Sequence, residues 1–519
     1  MESIALSLVS HTNVGKTTLA RTLMRRDVGS VFDQAHVTDV SESWTLLETE
    51  GARLQLWDTP GFGDTARLLR RLRNERNPLG WFLHEVWDKV TDRALWCGQE
   101  AVRNIREDAD VVIYLVSAAE DPEDAAYVPL ELELVGWLEK PVLLLLNQTG
   151  DADDATQLEA RWRAAVADWS CVKDVLSLDA FTRCWVQEGA LLERVAGLLP
   201  SDKQGAMSGL VAAWDARNLA TFGASTAALG GLLAGTAVDR EGLPSVMASK
   251  GDKRRAMDAL ADRLDQRSKA LMEGLIEGHG LDGEAAAQVR ERVDDFIVPA
   301  DSPFDVRRSA LVGGLVTGAA TGVTAEVMTG GLGLGSGIVV GAALGALGGA
   351  GLAKGYEFVL GFGKEPAVRW GGDFLTEQTR QVCLRYLAVA QFGRGRGAFH
   401  DDVLPATATA AATTPEGDAD AATRSSEPAN PWLPLVDEAL KAHASELAGC
   451  WKAAAGGEDQ EPALTRLVTE LLRSVLLARY PGAGRLLVGD MHDLGGERRH
   501  PPGVPEIPEI PDSRAPDHG

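Results

Sequence analysis

The sequence is short of cysteine, short of basic residues and, after its first two hundred positions, short of strand-forming runs. The five cysteines, Cys97, Cys171, Cys184, Cys383 and Cys450, are scattered over 519 residues with no Cys-x-x-Cys or Cys/His ligand spacing. That excludes a disulfide framework and leaves reduced, mostly buried thiols of a cytosolic protein as the expectation. Lys and Arg number 51 against 75 Asp and Glu, a formal net charge of -24. A field of that sign repels phosphate backbones, so nucleic acid is not an expected partner. The first apolar run, Ile4 to Val9, is short and has no basic stretch before it. No signal peptide is expected there, and the run reads as a first β-strand.

A chain of this length is expected to hold more than one compact unit. Over residues 1–200 strand and helix patterns alternate, with strands expected at Ile4 to Val9, Ser43 to Glu48, Arg53 to Trp57, Val111 to Val116, Val142 to Leu146 and Val175 to Leu178. Several are nearly continuous apolar runs, the mark of strands covered by helices on both faces of a mainly parallel sheet. Glu50-Gly51 lies between two of them and predicts one antiparallel hairpin. The expected fold is therefore α/β, with a helical insertion at about 66–108 whose Trp81, Phe82, Trp87 and Trp96 suggest an aromatic core of its own. Residues 201–400 read as an α-helical domain, including helices at Met257 to Ile276 and Glu284 to Val298. Then come a linker rich in Ala, Thr and Pro at 401–431, C-terminal helices at 432–488, and a Pro-rich tail at 489–519 too poor in apolar residues to fold.

The chemistry begins at "LSLVSHTNVGKTTLARTLM", Leu6 to Met24. A phosphate-binding loop needs inward-pointing backbone N–H groups, a helix N-terminus facing the anion, a lysine, and a hydroxyl for magnesium. Ser10 stands where the pattern GxxxxGK[ST] has its first glycine, and that glycine mainly serves the turn. After Val14, Gly15 permits close backbone approach and Lys16 is expected to reach the β- and γ-phosphates. Thr17 is expected to ligate Mg²⁺, and Thr18 opens the helix beside the α-phosphate. A second element, "LQLWDTPGFGD", delivers Asp58 next to the magnesium and places Gly61 where its N–H can sense the γ-phosphate. Thr38, upstream in "AHVTDV", is the candidate to complete the magnesium shell and the switch, with Thr45 and Thr49 as neighbouring alternatives.

The runs "NVGKTTL" and "DTPG" resemble the TrmE-Era-EngA group of translation-factor-related P-loop GTPases over roughly the first 200 residues. The insertion, the block "LELELVGWLEKPVLLLLNQTG" and the Gly-rich second half resemble a bacterial family of GTPase-domain proteins whose C-terminal region has no assigned function. The resemblance implies GTP as ligand with Mg²⁺ as cofactor, and it places Asn13 at the asparagine that in several relatives holds a potassium ion beside the phosphates. Phe62 occupies the position of the water-orienting glutamine, and an apolar side chain cannot polarise water, so slow hydrolysis that depends on a partner, an ion or a homodimer is expected. Relatives read guanine with NKxD; here "NQTGD" keeps Asn147, has Gln148 for Lys and puts Gly150 at the Asp position, with Asp151 one residue on. Losing that acceptor removes about 1.5 to 3 kcal/mol per charged hydrogen bond, which leaves preference for GTP over ATP open. By the same resemblance, Ser177 to Phe181 is the last base loop.

Between Arg308 and Lys354 the chain carries one charge, Glu326. Gly314, Gly318 and Gly322, and again Gly337, Gly341, Gly345 and Gly349, recur every fourth residue, the pattern of two smooth helices in a hairpin at about 309–353. The stripe Gly223, Ala227, Gly231 and Gly235 is a candidate to join them. Each arm, about 17 to 20 residues, is long enough to span a bilayer, but Glu326 would cost roughly 2.5 kcal/mol or more inside one. The hairpin fits either a membrane or a soluble helical bundle. The expected function is a cytoplasmic guanine-nucleotide-binding regulatory protein whose slow GTP hydrolysis switches an attached helical domain. That domain would meet a membrane surface or membrane-protein partner. The alternative is a nucleotide-dependent scaffold or membrane-remodelling module with negligible hydrolysis or relaxed base specificity.

Overall fold

The computed structural model describes residues 1–11, 14–25, 41–62, 64–73, 93–147, 155–178, 184–281, 286, 289, 356–359, 366–392, 431–480 and 487. The first half is built from β1 (Glu2–Ser10), α1 (Lys16–Met24), β2 (Glu42–Glu48), β3 (Ala52–Asp58), α2 (Thr65–Leu72), α3 (Arg93–Glu107), β4 (Val111–Ser117), α4 (Tyr127–Gly136), β5 (Val142–Asn147), α5 (Ala155–Ala165), β6 (Val172–Ser177) and α6 (Trp185–Leu198). The sheet order is β2-β3-β1-β4-β5-β6. Every neighbouring pair is parallel except β2 with β3, which turn at Glu50-Gly51 as an antiparallel hairpin. All six strands coincide with sequence-expected runs; β1, β4 and β5 do so because a strand buried on both faces leaves an uninterrupted apolar signature. β4 is buried from Val111 to Val116 and β5 along its whole length.

The alternation of a strand's side chains sorts this half into two cores. One face gathers Ile4, Leu6, Leu8, Leu54, Leu56, Ile113 and Leu145 beneath α1, α6 and the start of the next helix. The other gathers Val9, Val112, Tyr114, Val116 and Leu144 with Leu68 and Leu69 of α2, Leu95, Val102 and Ile105 of α3, and Leu132 and Val135 of α4. The described part of the insertion thus joins the main core instead of making its own. Trp96 is only half-buried, and Trp81, Phe82 and Trp87 lie outside the described residues.

The second half starts with α7 (Ser201–Val238) and adds β7 (Arg240–Gly242), α8 (Lys250–Gly278), β8 (Tyr356–Val359), β9 (Ala367–Trp370), α9 (Gly372–Ala390), α10 (Leu433–Ala442), α11 (Ala444–Ala455) and α12 (Glu461–Arg479). A small antiparallel sheet, β7-β9-β8, stands where the sequence shows no strand signal. Its strands have three or four residues, too few for a period to emerge. α8 begins seven residues before its apolar stripe because Ser249 and Asp252 form a reciprocal capping box, with Ser249 N donating to Asp252 at 3.0 Å and Asp252 N to Ser249 Oγ at 3.1 Å. The expected helix over Glu284 to Val298 lies almost wholly outside the described residues, as do the hairpin at 309–353, the linker and the Pro-rich tail.

The core of the α/β half does not stop at residue 200, where composition changes. Met207, Leu210, Val211 and Trp214, in the first half of α7, belong to it. Phe222, Leu229, Leu233 and Ala237, further along the same helix, belong to the helical core with α8, α9 and α12. Among the described residues α7 is the one helix long and apolar enough to cross a membrane, and 56% of that stretch is buried in the protein, as in a core helix. Its small-residue stripe meets polar side chains: Gly231 faces Glu461 and Gly235 faces Arg267. The close approach is made by Gly230, where an added Cβ would lie 2.7 Å from the backbone of Thr465 in α12.

Candidate functional site

The site forms where β1 ends and α1 begins. Gly15 takes φ 95°, ψ 25°, a left-handed conformation that side-chain-bearing residues avoid, and so turns the chain into the helix. A Cβ at Gly15 would also come within 2.6 Å of the Asn147 side-chain nitrogen. Asn147, the last residue of β5, donates that Nδ2 to the Val14 carbonyl at 2.7 Å. The loop is therefore clamped from the sheet's C-terminal edge, the end at which α/β sheets bind ligands.

Lys16 is buried, and its Nζ donates to Ser10 Oγ at 2.9 Å. The serine that replaces the first glycine of the motif therefore takes part in the site, because its hydroxyl holds the lysine ammonium. Burial lowers the Lys16 pKa, while the carboxylates of Asp58 and Glu131 oppose that shift. Thr17 Oγ1 donates to Asp58 Oδ2 at 2.5 Å, which brings together the two side chains expected to ligate magnesium from elements 41 positions apart. Asp58 ends β3 and is buried there. Thr18 is buried as well, in the first turn of α1.

Gly61 is buried between Asp58 and Phe62. Phe62 N donates to Ser10 O at 3.0 Å, and Phe62 pairs with His11 as an isolated parallel bridge, so the segment after Asp58 lies along the phosphate loop. The Phe62 side chain is buried, in the core that also holds Val9, Leu68, Leu69 and Tyr114. Asn13, Thr38, Gln148, Gly150 and Asp151 lie outside the described residues. Ser177 ends β6, and its backbone N–H donates to Glu159 of α5 at 2.8 Å.

One group escapes the motif search. Glu131 lies in α4 with no solvent exposure. It accepts from His11 Nδ1 at 2.7 Å, from Tyr114 Oη at 2.7 Å and, at the limit of hydrogen-bond length, from Thr65 Oγ1 at 3.5 Å. His11 stacks on Tyr127 with ring centroids 4.5 Å apart. Burial raises the Glu131 pKa against the opposing effect of His11, and burial beside Glu131 raises that of the Tyr114 phenol. A signal was present in the sequence: within "LELELVG" one glutamate must face inward if the leucines do.

Residues 5–148 match the family described as 50S ribosome-binding GTPase. No curated protein matches the chain. Among solved structures, an Era variant of Aquifex aeolicus bound to GDP and aluminium fluoride is 19% identical with a TM-score of 0.30, over 39% of this chain and 58% of that one. The FeoB G domain of Methanococcus jannaschii is 21% identical with a TM-score of 0.21, over 35% and 88%. Elongation factor SelB of Methanococcus maripaludis, with a GTP analogue, is 14% identical with a TM-score of 0.22, over 35% and 30%. The chain thus spans little more than half of the Era structure it matches. The sheet order and the GKT loop facing Asp58 agree with that match, and residues 5–148 have the fold of a P-loop GTPase domain.

Proposed function

We propose that the α/β half binds a guanine nucleotide with Mg²⁺ and hydrolyses GTP slowly, and that the helical half responds to which nucleotide is bound. The observation that carries this reading is the convergence of Lys16, Thr17 and Asp58 at the N-terminus of α1 behind the left-handed Gly15. A hydroxyl and a carboxylate oxygen are the hard donors that magnesium takes. Thr17 and Asp58 already lie side by side and fit it, and Mg²⁺ would supply charge neutralisation at the β- and γ-phosphates. Lys16 would leave Ser10 for the phosphates; burial lowers its pKa, and the carboxylates of Asp58 and Glu131 oppose that shift. The preference for guanine rests on the match of residues 5–148 to a GTPase family. Asn147 is engaged in holding the loop.

A route to the helical half is available. Arg25, the left-handed residue that ends α1, donates from its guanidinium to Asn218 Oδ1 of α7. Arg25 also lies against Gly280, two residues past the end of α8. Movement of α1 would be felt where α7 passes from one core to the other. The segment 309–353 is the part through which we assign membrane contact, on its sequence pattern. Flotation of the intact chain with liposomes, against a chain lacking 309–353, tests that assignment, and equal behaviour of the two rejects it.

Lys16→Ala is expected to abolish binding of fluorescent GTP and GDP while leaving the thermal transition in place; retained affinity would overturn the assignment of the site. The buried Phe62 favours a second reading, in which binding without turnover is the function. Phosphate release from GTP and ATP, in potassium and in sodium, decides between them: release under any of these conditions supports the hydrolase, and none under all of them supports the scaffold.

A further inference from the structure

Glu131 and Glu133, two residues apart on α4, hold the two ends of α2. Glu131 reaches Thr65 at its first residue, and Glu133 Oε1 accepts from Arg73 Nε at 3.0 Å just past its last. α2 follows directly on the Asp58 to Asp64 segment, and the same Glu131 carboxylate accepts from His11 of the phosphate loop. Phosphate loop and following segment are thus pinned to one fixed group on a helix whose other buried residues, Val128, Leu132, Leu134 and Val135, are all aliphatic.

Stability does not account for that carboxylate. Burying an ionisable group costs several kcal/mol, and replacing a buried charged network by apolar side chains of similar volume is often neutral or stabilising. A leucine would suit the surroundings of residue 131. What leucine cannot do is accept from three donors on three different segments, the phosphate loop, β4 and the start of α2.

We propose that Glu131 is a positioning residue: from its seat on α4 it fixes the distance between the phosphate loop, through His11, and the start of α2, through Thr65, so that the segment Thr59 to Thr65 is held ready for the third phosphate. The part concerning the third phosphate rests on the GTPase reading above; the anchoring itself does not. A group that acts this way discriminates between nucleotides differing in the γ-phosphate, whereas one that only supports the fold affects both alike.

The test uses the full chain with Glu131→Leu, Glu131→Gln and His11→Ala. Without nucleotide, hydrogen exchange is followed in the peptides covering 61–69 and, as reference, β4. Glu131→Leu should speed exchange in 61–69 at least fivefold with β4 unchanged and the thermal midpoint within a few degrees of the parent. Glu131→Gln, which keeps an acceptor oxygen, should recover most of the protection. Unchanged exchange in 61–69, or an equal loss in β4, overturns the anchoring. With fluorescent GDP and a non-hydrolysable GTP analogue, Glu131→Leu should weaken the analogue tenfold or more and leave GDP within twofold, and His11→Ala should add little to it. Equal weakening of both nucleotides overturns the γ-phosphate role. Failure of the parent protein to bind either nucleotide refutes the proposed function, and the exchange arm then still decides the anchoring. If Glu131→Leu does not fold, His11→Ala, which removes the phosphate-loop donor to Glu131, carries both arms: faster exchange in 61–69 and a weakening of the analogue beyond that of GDP are expected, and exchange and binding identical to the parent overturn the proposal.

Discussion

The two halves of α7 are attached to their surroundings in different ways. From Met207 to Trp214 the helix inserts large side chains into the α/β core, and its first turn is tied down by Lys203, which bonds Asp110 at 2.7 Å. From Thr221 to Thr236 it is rich in small residues. There it is Gly230, lacking a side chain, that lets α12 come close, while Ser225 and Thr236 satisfy their buried hydroxyls on their own helix carbonyls at 2.8 and 2.7 Å. Both ends fill core volume, but only the second also depends on a missing side chain, so truncation should be felt at either end and enlargement most at Gly230. A single helix with both properties can join two cores that differ in how they tolerate change.

The largest effect is expected from Trp214→Ala. The indole is fully buried and carries Arg217 over its ring at 4.3 Å, and its loss should cost about 3 to 5 kcal/mol. Gly230→Ala comes next. In an open helix the change would gain about 1 kcal/mol of helix propensity, but here the methyl meets the Thr465 backbone, and a net loss of about 1 to 3 kcal/mol is expected. Urea unfolding followed by circular dichroism reads both. If α7 makes the halves one cooperative unit, each substitution moves a single common transition. Two transitions, each moved by one substitution alone, would break the picture of a shared helix.

The same contrast explains what the sequence made legible. Strands β1, β4 and β5 announce themselves because burial on both faces leaves runs such as Val111 to Val116, β3 by its alternation, and the GKT loop because its chemistry dictates residue types at fixed spacing. β7 to β9 were hidden by brevity, and the reach of the α/β core to Trp214 by a change of composition at Pro200, which is only the cap of α7. The stripe Gly223, Ala227, Gly231 and Gly235 was a candidate to join the Gly-rich hairpin, which lies outside the described residues; among these, Gly231 and Gly235 lie against Glu461 and Arg267, and the tight contact falls on Gly230, outside that stripe. A glycine pattern shows that something can approach, whereas the identity of what approaches is set by tertiary packing. The role of Ser10 was likewise invisible from its own position, since it depends on where Lys16 points.

The smallest effect on stability, and the most direct probe of how the two halves communicate, is expected at the point where α7 changes cores. Asn218 lies between Trp214 and Phe222, is buried, and accepts from Arg25 at the end of the phosphate-loop helix while its own Nδ2 donates to Trp214 O at 2.9 Å. Asn218→Ala removes one acceptor and should lower stability by about 1 kcal/mol, because the helix hydrogen bonds through that turn persist. Its effect on coupling should be larger than on stability. If the Arg25 to Asn218 contact carries the nucleotide state, then adding a GTP analogue to the parent protein changes hydrogen exchange in α8 and α12, and in Asn218→Ala that response shrinks while nucleotide affinity stays within twofold. An undiminished response would place the coupling elsewhere along α7, with the packing around Trp214 as the remaining route between the halves.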